Sequence, residues 1–193
     1  MKICLFGAAS NEINEIYIEA VENLGKEIAE RGHSLVFGAG GNGLMGAAAR
    51  GVHKANGNIT GIIPSFFRDE NIEKIFNECD ELIYTETMAQ RKTKMEDLAD
   101  AFIIVPGGIG TFEEFFEVLT LKQLGRHTKP IAVFDINGYY KKLEEFLKVS
   151  VEERFIRDDC KKLYFYNISA NEILNYIERD EQIKQNVHDL KIG

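Results

Sequence analysis

Pro106-Gly107-Gly108-Ile109-Gly110-Thr111-Phe112-Glu113-Glu114 is the stretch on which the fold turns. Ahead of it, Ala101-Phe102-Ile103-Ile104-Val105 is a short continuous apolar run, the pattern of a strand buried in a parallel sheet. Behind it, Phe112, Phe115, Phe116 and Leu119 recur at i, i+3, i+4 and i+7, the stripe of an amphipathic helix. Strand, glycine loop and helix in that order aim unpaired N–H groups and the positive end of a helix dipole at one point, which suits a phosphate. Pro106 ends the strand, and three glycines remove the Cβ atoms that would hold a ligand off the backbone. Two acidic residues, Glu113 and Glu114, follow directly, and Glu117 lies one turn further on. Carboxylates beside an anion seat imply a task other than binding the anion.

The same alternation extends outward in both directions. Residues 3–6, 34–37, 58–63, 82–84, 130–135 and 163–168 read as further strands, and about 12–30, 44–55, 88–99 and 139–154 as helices. Gly32 and Gly57 are placed to stop the first two helices. Residues 65–80 read as loop with a short helix, and about 171–193 as a polar helical tail. Alternating strands and helices imply right-handed crossovers and an α/β fold, a doubly wound, Rossmann-like parallel sheet with helices on both faces. No repeat, linker or low-complexity segment interrupts it, so residues 1–193 read as a single nucleotide-binding domain. Ligands of such sheets bind outside the carboxyl ends of the strands, where glycine-bearing loops after Phe6, Phe37 and Val105 converge.

Composition narrows the classes of function. The 193 residues are 45% hydrophobic and 28% charged with only three prolines, which describes a soluble globular chain with a sizeable core. A net charge of −8 argues against a nucleic-acid polymer or an anionic membrane as partner, and leaves a small phosphorylated ligand to local backbone dipoles. Cys4, Cys79 and Cys160 are odd in number and widely spaced, which argues against a disulfide framework or a zinc site and fits a reducing cytoplasm. The N-terminal apolar stretch at residues 3–6 is too short for a signal peptide or a membrane span.

Other motifs have a structural reading beside the functional one. Gly38-Ala39-Gly40-Gly41-Asn42-Gly43 matches the dinucleotide fingerprint in form, but the end of the next strand, Gly61-Ile62-Ile63-Pro64, lacks the acidic residue that would hold a ribose. A glycine turn packed under a helix, or one wall of a mononucleotide site, fits better. Thr111 and Glu114 fit a T-x-x-E capping box, which would account for both without a ligand but not for Glu113, Glu117 or the three glycines. Arg91, Lys92 and Lys94 read as a solvated helix face, or as a guanidinium able to fork onto a phosphate or orient a carboxylate. The histidines, His33, His53, His127 and His188, show no metal spacing, and neither a serine nucleophile elbow nor a Walker lysine is present.

Met88-Ala89-Gln90-Arg91-Lys92 followed by the Pro106–Glu114 loop resembles the Lonely Guy family, cytokinin riboside 5′-monophosphate phosphoribohydrolases often mislabelled as lysine decarboxylases. The similarity continues through Gln123-Leu124-Gly125, Lys129-Pro130 and Asn137-Gly138-Tyr139-Tyr140, and upstream through Gly38 to Gly46. It departs at Ala39, where glycine is usual, at Ala8-Ala9, where small hydroxyl residues are common, and at Lys94, where glutamate is frequent. The resemblance implies hydrolysis of the N-glycosidic bond of a nucleoside 5′-monophosphate such as a cytokinin riboside 5′-monophosphate or AMP, without metal or cofactor, in a cytoplasmic homodimer. It makes Arg91 and Glu114 the expected catalytic residues, with Glu113 and Glu117 as unranked helpers. Gly40, Gly43, Met88, Lys92, Gly107, Gly108, Gly110, Thr111 and Glu117 become the expected substrate contacts. A non-catalytic nucleotide or molybdenum-cofactor carrier on the same fold is the alternative, and it would not need the Arg91/Glu114 pair.

Overall fold

The computed structural model describes residues 1–70 and 74–179. Seven strands, β1 (Lys2–Phe6), β2 (Ser34–Phe37), β3 (Ile59–Pro64), β4 (Glu81–Thr85), β5 (Ala101–Ile104), β6 (Ile131–Phe134) and β7 (Phe165–Asn167), form one parallel sheet in the order β4-β3-β2-β1-β5-β6-β7. Helices α1 (Glu15–Glu30), α2 (Gly43–Lys54), α3 (Ser65–Asp69), α4 (Met88–Leu98), α5 (Ile109–Gln123), α6 (Lys141–Glu152) and α7 (Ala170–Glu178) connect and follow the strands. The doubly wound α/β architecture expected from the sequence is borne out.

Strand alternation builds two cores. From β1, Ile3 and Leu5 face one side, under Val21, Leu24 and Ile28 of α1, the alanines of α2, and Ile173, Leu174 and Ile177 of α7. Cys4 and Phe6 face the other, under Met95 of α4, Phe115 and Val118 of α5, and Tyr140. The polar tail expected from residue 171 is thus, as far as Glu178, an amphipathic helix with a buried stripe. Its continuation, residues 180–193 with His188, lies outside the described residues.

Helix boundaries follow local chemistry. α1 opens three residues later than the hydrophobic pattern suggests, because the Asn14 side chain caps it by accepting from the Ile16 N–H at 3.0 Å. Gly32, at φ +78°, stops it as expected: the N–H groups of Gly32 and His33 donate to Ala29 and Ile28. α2 ends the same way, but at Asn56 (φ +57°), with Gly57 N–H on Val52 O. Gly57 is instead a packing glycine, since a Cβ there would come within 2.5 Å of Ala29 Cβ.

Sequence order runs outward from β1 in both directions, through β2 on one side and β5 on the other. The loops leaving β1 and β5 therefore part to opposite faces and open a crevice at the carboxyl edge. Ala8 N–H ties them together by donating to Pro106 O at 3.0 Å.

Candidate active site

α5 begins at Ile109, with Gly108 at its N-cap in extended backbone (φ −99°, ψ −154°). This corrects the capping-box reading: Thr111 is already the third helical residue, buried, with Oγ1 placed where a Cβ on Gly107 would come within 2.1 Å. A glycine N-cap offers no side-chain acceptor, so the first-turn N–H groups of Ile109, Gly110 and Thr111 face outward. A Cβ on Gly108 or Gly110 would meet nothing within 4 Å, so those two glycines keep space open over the helix end.

The other glycine loop is built differently. Gly43 N–H donates to Asn11 Oδ1 at 2.8 Å, and the N–H groups of Leu44 and Met45 both donate to Ala8 O, at 2.8 and 3.3 Å. The chain's own oxygens occupy the α2 N-terminus, so the turn that matches the dinucleotide pattern in form has no N–H of Gly43, Leu44 or Met45 left for a phosphate. Gly43, at φ +56°, leaves no room for a side chain: a Cβ would come within 2.4 Å of Ala8 O. Gly40 forms an isolated bridge with Ile75, and Gly41 N–H donates to Lys74 O at 2.6 Å. Gly40 and Gly43, both expected substrate contacts, are thus held by local contacts and are not part of the lining of the cavity between α2, α4 and α5. Ala39, the departure from glycine, is buried at φ +60°.

Between these helix ends and α4 lies a cavity of about 300 Å³. Of the expected residues, Met88, Arg91, Gly108, Gly110, Thr111 and Glu114 line it together, with Glu113 beside them. Gly7, Ala8, Ala9, Met45 and Phe67 complete the wall. Gly107 lies in an adjoining apolar cleft of about 250 Å³ that shares Ala8 and Gly108 with the first.

Thr87 caps α4 by accepting from Gln90 N–H at 3.1 Å, which sets the register that turns Arg91 inward. Arg91 is buried; its Nε donates to Ile62 O at 3.3 Å, and its Nη1 lies 3.8 Å from Glu114 Oε1. Its Nη2 rests on Gly38, where a Cβ would come within 1.7 Å. Burial pushes the Glu114 carboxyl from 4.5 up to about 7; Arg91 opposes that rise and Glu113 adds to it. Lys92, next along α4, turns to a different side: its Nζ bonds Glu113 and lies 2.8 Å from Glu117 Oε2. Lys92 and Glu117 are not part of the cavity lining, and Lys92 neutralises the two acids that flank Glu114.

Three features of the site were not expected from sequence: Gly38 as the bed of Arg91, the apolar wall of Met45 and Phe67, and the partition of the carboxylates between Arg91 and Lys92. The first had a signal, a glycine closing a strand, but nothing names its distant neighbour. Among the described residues, no group of three or more His, Cys, Asp or Glu is placed to hold a metal ion.

The profile of a family described as "Possible lysine decarboxylase" matches residues 45–177. The chain is 37% identical over 177 residues to the cytokinin riboside 5′-monophosphate phosphoribohydrolase LOG2 of Arabidopsis thaliana, covering 92% of this chain and 82% of that one. To the enzyme of that name, LOG, from Oryza sativa subsp. japonica it is 34% identical, covering 92% and 72%. The chain belongs to the Lonely Guy family. Among solved structures it is similar to the molybdenum cofactor carrier protein of Chlamydomonas reinhardtii, with a TM-score of 0.71 at 21% identity over 92% of this chain and 96% of that one. The molybdenum cofactor binding protein of Rippkaea orientalis gives a TM-score of 0.67 at 20% identity, covering 92% and 94%. At such identities the likeness is one of fold. It sets the Lonely Guy fold beside proteins named for a different ligand.

Proposed function

We propose that this protein hydrolyses the N-glycosidic bond of a nucleoside 5′-monophosphate, a cytokinin riboside 5′-monophosphate or AMP, to the free base and ribose 5-phosphate. One observation carries the reading: a helix N-terminus with outward N–H groups and an arginine-paired, mostly buried carboxylate line the same cavity. The phosphate sits on the N–H groups of Gly108 to Thr111, which anchors the ribose over Glu114. As the base departs, C1′ takes on oxocarbenium-like positive charge, which the Glu114 carboxylate stabilises while orienting the attacking water. Water supplies the new C1′–OH, and the proton it loses ends on the departing base. Arg91 offsets part of the cost of burying the Glu114 carboxylate and offers its remaining donors to substrate. Curated relatives carry the name of this activity.

Two other readings fit less well. A Schiff-base decarboxylase needs a lysine amine in the cavity; its lining includes none, and Lys92 is held by Glu113 and Glu117. A molybdenum-cofactor carrier shares the fold, yet would have no use for the Arg91–Glu114 pair. We extend the proposal to a cytosolic homodimer: all three cysteines are free thiols, and Phe116, Phe146, Val149 and Phe155 expose apolar surface around α5 and α6. Among the described residues, no helix is long and apolar enough to cross a membrane.

The test is to incubate the protein with a panel of nucleoside 5′-monophosphates and the matching nucleosides, and to identify released bases by chromatography. Cleavage confined to the monophosphates is expected. Equal turnover of both would overturn the phosphate seat, and no cleavage with visible absorbance from a bound pterin would favour the carrier.

A further inference from the structure

We propose that Tyr139 is a positioning residue that turns the backbone of the glycine loop toward the substrate phosphate, an inference that rests on the phosphate seat proposed above. Three successive carbonyls ahead of α5 are all held from outside the loop. Val105 O accepts from Tyr140 Oη at 2.8 Å, Pro106 O from Ala8 N–H at 3.0 Å, and Gly107 O from Tyr139 Oη. In a planar trans peptide, the C=O of one residue and the N–H of the next point in opposite directions. Holding Gly107 O in the apolar cleft therefore drives Gly108 N–H the other way, where Gly108 lines the candidate active site. Holding Pro106 O does the same for Gly107 N–H. Neither peptide lies within the regular turns of α5, so the helix alone does not fix them.

The tyrosines reach the loop because of how β6 ends. A 3-10 turn at Ile136–Gly138 places Asn137 at φ +56° and Gly138 at φ +72°, which folds the chain back. Asp135, buried at the start of that turn, accepts from Tyr140 N–H at 2.7 Å and from Tyr166 Oη. The rings of Tyr139 and Tyr140 meet edge to face with centroids 5.0 Å apart, and Tyr139 meets Tyr17 of α1 likewise at 6.3 Å. A rigid turn thus presents two consecutive hydroxyls to two carbonyls spaced two residues apart. Tyr140 is buried and belongs to the core, whereas Tyr139 is 42% exposed, so its hydroxyl can be removed with little effect on packing.

The experiment is Tyr139→Phe, read by steady-state kinetics on AMP and by calorimetry with inorganic phosphate. Loss of the hydroxyl should raise KM about tenfold while kcat stays within about twofold, because the change weakens a charged hydrogen bond to the phosphate and leaves Glu114 and Arg91 in place. Phosphate affinity should fall by the same factor, with a melting temperature close to wild type. Unchanged phosphate affinity in Tyr139→Phe, or a fall in kcat at constant KM, would overturn the positioning role while leaving the seat standing. Wild-type protein that does not bind phosphate would overturn the seat, and this inference with it.

Discussion

Nη1 of Arg91 stands 3.8 Å from Oε1 of Glu114, within ion-pairing range but beyond a direct hydrogen bond. Each group steadies the other's charge without using up its hydrogen-bonding capacity. Both sit on helices, α4 and α5, whose ends are fixed by Thr87 and Gly108.

Glu114→Gln keeps the shape of the side chain and removes the charge. Turnover of AMP should drop by about 10²–10⁴-fold, the usual scale for a positioned acid–base group. Arg91→Ala should fall comparably, and the double variant hardly further, since groups that act as a unit are non-additive. Single-turnover kinetics on all three would check this. Near-normal turnover in Glu114→Gln would shift the role to Glu113 or Glu117.

The raised carboxyl of Glu114 makes stability pH-dependent with a definite sign. Between its ordinary 4.5 and about 7, the folded protein holds a proton that the unfolded chain has released, so stability falls as pH rises through that window. The full shift corresponds to roughly 3 kcal/mol. Glu114→Gln should lose this slope and melt roughly 5–10 °C above wild type at pH 8, with little difference at pH 4.5. Glu96, raised to about 7 by burial and by Glu117, remains in both proteins and cancels in the comparison. In wild type, kcat/KM, which reports the free enzyme, should rise through an apparent pKa near 7 as the working carboxylate forms. Equal melting temperatures at pH 8 would show that Glu114 carries no burial cost.

Two glycines at the site should respond in opposite ways. Gly108 has open space at its Cβ position and a φ open to any residue, so Gly108→Val should fold normally and lose affinity for AMP by calorimetry. Gly38 has none: Gly38→Ala must displace the Arg91 guanidinium, costing about 1–3 kcal/mol of stability and most of the activity. Unchanged AMP affinity in Gly108→Val would place the phosphate elsewhere.

The inner strands of the sheet were legible because they are buried on both faces and so appear as apolar runs, as at Ala101 to Ile104. Helix ends were less so. Asn14 and Asn56 decide two of them through a side-chain cap and a left-handed backbone, and hydrophobic periodicity registers neither. At α5, the T-x-x-E spacing suggested a cap that Gly108 forestalls by opening the helix earlier. In the site, the glycines of one loop, Gly108 and Gly110, could be placed by the strand, loop and helix pattern around them, whereas Arg91 and Glu114 were pointed to by the family resemblance. Contacts set by tertiary packing could be read from neither: Arg91 on Gly38, Lys92 between Glu113 and Glu117, and Tyr139 on Gly107 each join separate elements.

Ala8 has a consequence for how many phosphates the protein can hold. Two helices, α2 and α5, bring their positive ends to the same edge of the sheet, and the Ala8 carbonyl oxygen already accepts from the first N–H groups of α2. A pyrophosphate arriving at this edge finds one helix end answered by the chain itself. On the function proposed above, α5 is then the helix end left for the substrate, and a single terminal phosphate suffices to fill it.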